Sequence, residues 1–297
     1  MISASKVMML IRRELWENRS LWIAPLAISG VILVSALIGD GPLDGGGPFR
    51  IDGKDPFASV DPGAEKRELM FAGVLGMLTV VQLFALGIVV FFYLLDSLLA
   101  ERKDRSILFW KSLPISDTEV VTSKALTALV AAPLFVLLLS AVTQLVFTLV
   151  LWARLSGSGL VKFIALDPGL WLQLQIGFLA FIPAMVLWYL PIAGYLMLVS
   201  VWARKNAFLW AILPPVALLL VEGLMMQTHY VADFLGRRLA GAFMIMDSPE
   251  GDVAPSLGLL MSHVARVFTH HETWLGVLVA IGFFVACIRI RRYRDDS

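Results

Sequence analysis

Charge and catalytic signatures are what this 297-residue sequence has least of. Asp, Glu, Lys and Arg make up 16% of it, against about 25% in ordinary soluble domains. Hydrophobic residues reach 59% and the mean hydropathy is +0.82, which turns the length-based expectation of a soluble chain into that of a polytopic membrane bundle. A single cysteine, Cys287, lies in an apolar run, so no disulfide forms within the chain and the residue reads as a small packing group. No G-x-x-x-x-G-K-[ST] occurs: Gly45, Gly46, Gly47 and Pro48 lack the Lys-Ser/Thr that would complete a phosphate loop. G-x-S-x-G, H-E-x-x-H and C-x-x-C are missing too, so no catalytic residue and no enzyme activity is expected of this chain.

What is present is a series of long apolar runs. Spans are expected over 21–38, 69–95, 124–152, 171–201, 207–226 and 273–288, each near the length that crosses a bilayer. The fold class is therefore all-α, one transmembrane domain over 1–297 with six spans. Residues 4–19 put Ala4, Val7, Met8, Ile11 and Leu15 on one helical face. Segment 1–20 thus reads as an interfacial helix ahead of a retained anchor, not a cleaved signal. The loop over 39–68 is rich in Gly, Pro and Asp, fits no calcium-loop spacing and reads as solvated. The second helix is expected to continue past Glu101; residues 69–101 would be roughly 50 Å long against a hydrocarbon core of about 30 Å. Pro183, Pro191, Pro214 and Pro215 are expected to bend the fourth and fifth spans.

Orientation follows from the basic residues. Segments 1–20, 100–124, 202–206 and 289–297 hold 15 of the 24 Lys/Arg, which puts both termini in the cytoplasm. The outer segment 227–272 carries Leu257, Leu260, Met261, Val264 and Val267/Phe268 at helical spacing, the pattern of short amphipathic helices at the outer leaflet.

Few polar residues enter the spans. Gln82 and Gln144 read as interhelical hydrogen-bonding groups. Glu222, an acid near a span end, is a pathway candidate, with headgroup-level solvation as the plainer reading. All four histidines, His229, His263, His270 and His271, fall in 227–272 among methionines, a donor set that suits copper. Their spacing matches no site pattern, so no metal site is assigned and a copper-handling permease stays the lesser reading.

The densest contrast lies at 100–116, AERKDRSILFWKSLPIS. Glu101 to Arg105 are five charges in a row, too polar for the bilayer. Asp104 or Ser106 can cap a new helix; Ile107, Leu108, Trp110 and Leu113 give it an apolar surface, and Pro114 stops it. Such a knob beyond the membrane is a partner-docking element, or alternatively an interfacial helix folded back on the bilayer.

An acid at the end of the second span, a polar turn, an apolar run and Ser112-Leu113-Pro114 together resemble the membrane subunits of the ABC type 2 permease family. Glu101 takes the position of the family's acid and Ser106 that of its hydroxyl residue; Arg13 to Arg19, before the first span, is similar to the family's amphipathic start. Arg105 stands where a glycine is common. The resemblance implies that 101–116 is a coupling helix segment docking on a separate ABC ATPase subunit, which holds ATP and magnesium. This chain would then bind no cofactor and no nucleic acid. It further implies a homodimer surrounded by membrane lipids in the inner (cytoplasmic) membrane, exporting an amphipathic substrate such as a lipid, peptide or drug-like molecule. A secondary carrier and a non-transporting scaffold are the alternatives from other classes.

Overall fold

The computed structural model describes residues 4–38, 64–104, 115–156, 161, 164, 167–244 and 257–293. Among the described residues there are helices and no strand, as expected where lipid offers backbone amides no partner. Six helical segments are long and apolar enough to cross a membrane: Ser20–Ile38, Arg67–Lys103, Asp117–Leu155, Pro168–Trp202, Ala207–Met226 and His271–Tyr293. This is a multi-pass membrane protein, with every expected span in its place.

The helices are α1 (Ala4–Glu17), α2 (Ser20–Ile38), α3 (Ala64–Asp96), α4 (Leu99–Lys103), α5 (Asp117–Leu126) and α6 (Ala132–Leu155). After these come α7 (Pro168–Trp202), α8 (Ala207–Val221), α9 (Tyr230–Met244), α10 (Leu257–Thr269) and α11 (His271–Tyr293). Two π turns, Thr127–Ala131 and Glu222–Met226, extend α5 into α6 and lengthen α8. The first has a local cause. Pro133 has no N–H and its ring crowds the carbonyl four residues back, so the turn before it widens instead of closing as α-helix. α7 stays helical through Pro183 and Pro191, and α8 through Pro214 and Pro215.

One expectation needs correction, and one is refined. α1 packs on α5 through a stripe of Val7, Leu10 and Glu14, while Met8 of its apolar face is left 67% exposed. The second long helix is not continuous to Asp104. It ends at Asp96, turns at Ser97 and Leu98, and restarts as α4. The cause is tertiary: the Ser200 hydroxyl of α7 accepts from the backbone amides of Leu98 and Leu99 at 3.0 and 3.1 Å. It supplies the acceptor that a continuous helix would have supplied from within. Arg102 closes the joint by donating to the carbonyls of Ser200 at 2.8 Å and Ala203 at 2.5 Å.

The bundle is held on small residues and polar pairs, since apolar burial drives little association inside lipid. α7 and α11 run along each other through Gly194, Ala280 and Cys287; a Cβ on Gly194 would stand 3.1 Å from that of Phe283. Cys287 is fully buried there, its thiol 3.8 Å from the Met197 carbonyl, in the packing role its sequence context gave it.

Gln82 donates to Ser29 Oγ at 2.7 Å, joining α3 to α2. Gln144 donates to the Leu75 carbonyl and to Thr79 Oγ1, both at 2.8 Å, while its own carbonyl accepts from Trp171 and Gln175 at the same distance. One glutamine thus ties α3, α6 and α7, as its position in an apolar run implied. Interhelical hydrogen bonds in bilayers contribute about 0.6 kcal/mol each on average. Gln144→Leu, which removes four of them, is expected to lower unfolding stability by about 2 kcal/mol, read by tryptophan fluorescence during denaturation in mixed micelles.

On the far side, the valines of α10 match the helical spacing read from the sequence. Val264 and Val267 pack on Phe181, Ala184 and Trp188 of α7, so this helix is docked on the bundle, while Met261 stays exposed. α9 is pinned by Arg238, which is buried with its guanidinium carbon 4.4 Å from the Trp188 ring centroid. Its guanidinium donates to the carbonyls of Trp188, at 3.0 Å, and of Glu272. Burial pulls the pKa of Arg238 below its ordinary value and Glu272 pulls it back.

Candidate functional site

The rim where α5 packs against α1 and against the end of α11 holds a buried chain of ionised side chains. Lys124 of α5 lies 2.7 Å from Glu14 Oε1 of α1 and 3.1 Å from Glu101 Oε1 of α4. Glu101 Oε2 accepts from Arg291 of α11 at 2.5 Å, and Arg291 Nε reaches Asp117 Oδ1 at 2.9 Å. The remaining oxygen of Glu14 accepts from the Tyr93 hydroxyl at 2.9 Å and the Asn18 amide at 3.2 Å. The order is Tyr93/Asn18–Glu14–Lys124–Glu101–Arg291–Asp117, a line through α3, α1, α5, α4 and α11. Glu14, Glu101, Lys124 and Arg291 are all buried.

Local sequence prepares each member. Ser116 caps α5 with a complete capping box: its hydroxyl accepts from the Glu119 amide at 3.2 Å, and Glu119 accepts from the Ser116 amide at 2.9 Å. That box fixes where α5 begins, so that Asp117 and Lys124 fall two turns apart on the side facing Arg291 and Glu14. Asn18 closes the end of α1 by donating to the Glu14 carbonyl at 3.1 Å as well as to its carboxylate. Each carboxylate oxygen of Glu14 and Glu101 has a donor, which is the condition under which buried ions are tolerated.

Glu101 opens the run of charges read from the sequence and Asp117 follows the end of segment 100–116, and both are gripped by the same Arg291. Of the expected docking residues, Glu101 is thus located in the network. Arg105, Ser106, Ile107, Leu108, Trp110, Leu113 and Pro114 lie outside the described residues. Sequence reading missed Glu14, Tyr93, Asp117, Lys124 and Arg291 as members. The available signal was a lysine and an arginine at the ends of two apolar runs, positions that look like ordinary snorkelling cations.

Glu222, the pathway candidate, is placed by contacts to the segment that follows it. It is buried against the start of α9, where its carboxylate accepts from the Val231 amide at 2.8 Å, the Ala232 amide at 3.3 Å and Thr228 Oγ1 at 3.2 Å. That is a helix cap delivered from another helix, and a negative charge there meets the positive end of the α9 dipole. Glu222→Ala is expected to speed amide exchange several-fold, with the effect confined to Tyr230–Met244.

Among the described residues no three His, Cys, Asp or Glu side chains converge as a metal site. His229, His270 and His271 are exposed, the last two stacked with ring centroids 5.0 Å apart, while the side chain of His263 lies outside the described set. No family model, curated protein or solved structure matches this chain.

Proposed function

We propose that this chain is the membrane subunit of an ATP-driven exporter, with segment 101–116 receiving the stroke of a separate ATPase subunit. The observation that carries the reading is the ion network around that segment. A docking element must be attached stiffly to the helices it moves, and Glu101 and Asp117 flank the stretch while Arg291 and Lys124 tie them to α11, α5 and α1. The Ser97–Leu98 joint adds a second attachment, since Ser200 and Arg102 link it to the end of α7. A push on the stretch would reach four spanning helices at once instead of travelling along α3 alone.

The resemblance at Glu101, Ser106 and Ser112-Leu113-Pro114 supports the same reading. So does the excess of basic residues, which assigns this rim to the cytoplasm. The missing phosphate loop makes an external energy source necessary. In the full assembly two copies would face each other, each carrying an ATPase, and the substrate would be amphipathic. Arg105, in place of glycine, would set a turn suited to one particular ATPase.

Purification from native membranes in mild detergent tests the proposal. The expected result is an ATP-hydrolysing subunit that co-elutes with this chain. A chain that arrives alone, and whose transport in vesicles runs on an ion gradient after ATP is depleted, would overturn it in favour of a carrier.

A further inference from the structure

Two cavities meet on the lipid-facing side of α3. The first, of about 410 Å³, is an apolar cleft between α3, the start of α6 and α7, with exposed Phe84 and Ile88 at its mouth. An apolar cavity of about 150 Å³ accommodates one benzene ring, so on that scale 410 Å³ takes roughly sixteen carbons. Along α3 its lining runs from Val80 to Leu94, about 20 Å at 1.5 Å per residue, more than one leaflet's half of a hydrocarbon core about 30 Å thick.

The second, of about 570 Å³, shares Ile88 with the first and lies at the rim of the ion network, between the α1–α2 corner, α4 and the start of α8. Its lining is polar where the first is not: Ser20, Asp96, Lys103 and Asn206 face it. These groups are uncommitted. Asp96 and Lys103 are exposed and make no ion pair among the described residues. Asn206, in the left-handed region at φ 53°, starts α8 without its side chain capping it. The aromatic trio Phe91, Phe92 and Phe208 stands between the two cavities, with Phe92 and Phe208 stacked 6.1 Å apart.

We infer that this face holds one zwitterionic aminophospholipid from the leaflet at that rim. One acyl chain lies in the apolar cleft; the phosphate takes Lys103, Asn206 and Ser20, and the ammonium takes Asp96. The balance of charge selects the headgroup. An acid and a base in one recess match a phosphate and a primary ammonium, whereas an anionic headgroup would leave Asp96 facing like charge. A quaternary choline could not donate a hydrogen bond to Asp96. The inference needs only membrane insertion and does not depend on the exporter reading.

The test uses the full-length chain in detergent, titrated with phosphatidylethanolamine, phosphatidylcholine or phosphatidylglycerol of matched acyl chains and read by native mass spectrometry. Phosphatidylethanolamine is expected to bind about tenfold more tightly than the other two, and Asp96→Asn to erase that preference. Gly87 lines the cleft with open space around its Cβ position, so Gly87→Leu fills the cleft without disturbing the fold. It is expected to weaken all three lipids about tenfold or more, the effect of displacing about two buried methylenes. Thermal unfolding of both variants without added lipid controls for folding. Equal binding of the three headgroups, or a preference that survives Asp96→Asn, overturns the headgroup assignment. Undiminished binding to Gly87→Leu overturns the cleft as the chain site. A lipid-free dimer that Gly87→Leu dissociates would show that a second copy of this chain covers the cleft instead.

Discussion

Lys124→Met is expected to destabilise the protein by about 3–5 kcal/mol, as breaking a buried ion pair by removing one partner does. The lysine is the only cation within reach of Glu14 among the described residues, and it shares Glu101 with Arg291. Its removal leaves the Glu14 carboxylate buried with only the neutral donors Tyr93 and Asn18. The cost should therefore fall mostly on Glu14, and the double variant Lys124→Met/Glu14→Gln should recover a large part of it. A coupling energy of about 1–3 kcal/mol in that cycle is the expected result. Denaturant unfolding in mixed micelles, followed by tryptophan fluorescence, measures all four corners. A single-variant loss below about 1 kcal/mol would mean that Lys124 is hydrated in solution and not enclosed as described.

The second large effect concerns association and not stability. If segment 101–116 docks on an ATPase as proposed, Trp110→Ala with Leu113→Ala is expected to abolish that binding, while insertion and unfolding stay as in the parent chain. Buried aromatic and aliphatic anchors at the centre of an interface each contribute about 2 kcal/mol or more, so removing two weakens Kd by about a thousandfold. Co-purification gives the binding result, and the unfolding midpoint in the same micelles gives the control. Normal association in the double variant would place docking elsewhere on the chain. Lys124→Met makes the complementary prediction under the proposed function: the apolar residues Trp110 and Leu113 are kept, so an ATPase that docks on them is expected to bind still, while its hydrolysis is expected to lose its coupling to transport. The two variants together separate holding a partner from passing its motion on.

The sequence alone determined the membrane-spanning architecture. Runs of about twenty apolar residues leave no other home for their side chains, and a backbone in lipid must satisfy itself as helix. It also marked Gln82 and Gln144, because an amide in such a run needs a partner on a neighbouring helix, and it marked the helical valines of α10. Tertiary structure alone decided the rest. Glu222 read as a pathway candidate or, more plainly, a solvated acid at headgroup level, because its sequence neighbours do not show that the amides of Val231 and Ala232 turn back to meet it. The second long helix looked continuous to Asp104 because the group that breaks it, Ser200, is about a hundred residues away. The ion network was equally hidden. Glu14, Lys124 and Arg291 each read as an ordinary charge at the edge of an apolar run and Glu101 as the first of a run of charges, and only the packing of α1, α4, α5 and α11 removes them from water together. Hydrophobic patterning is local and additive, so a single chain displays it. Pairing buried charges is a property of distances between helices, and no stretch of sequence carries those distances.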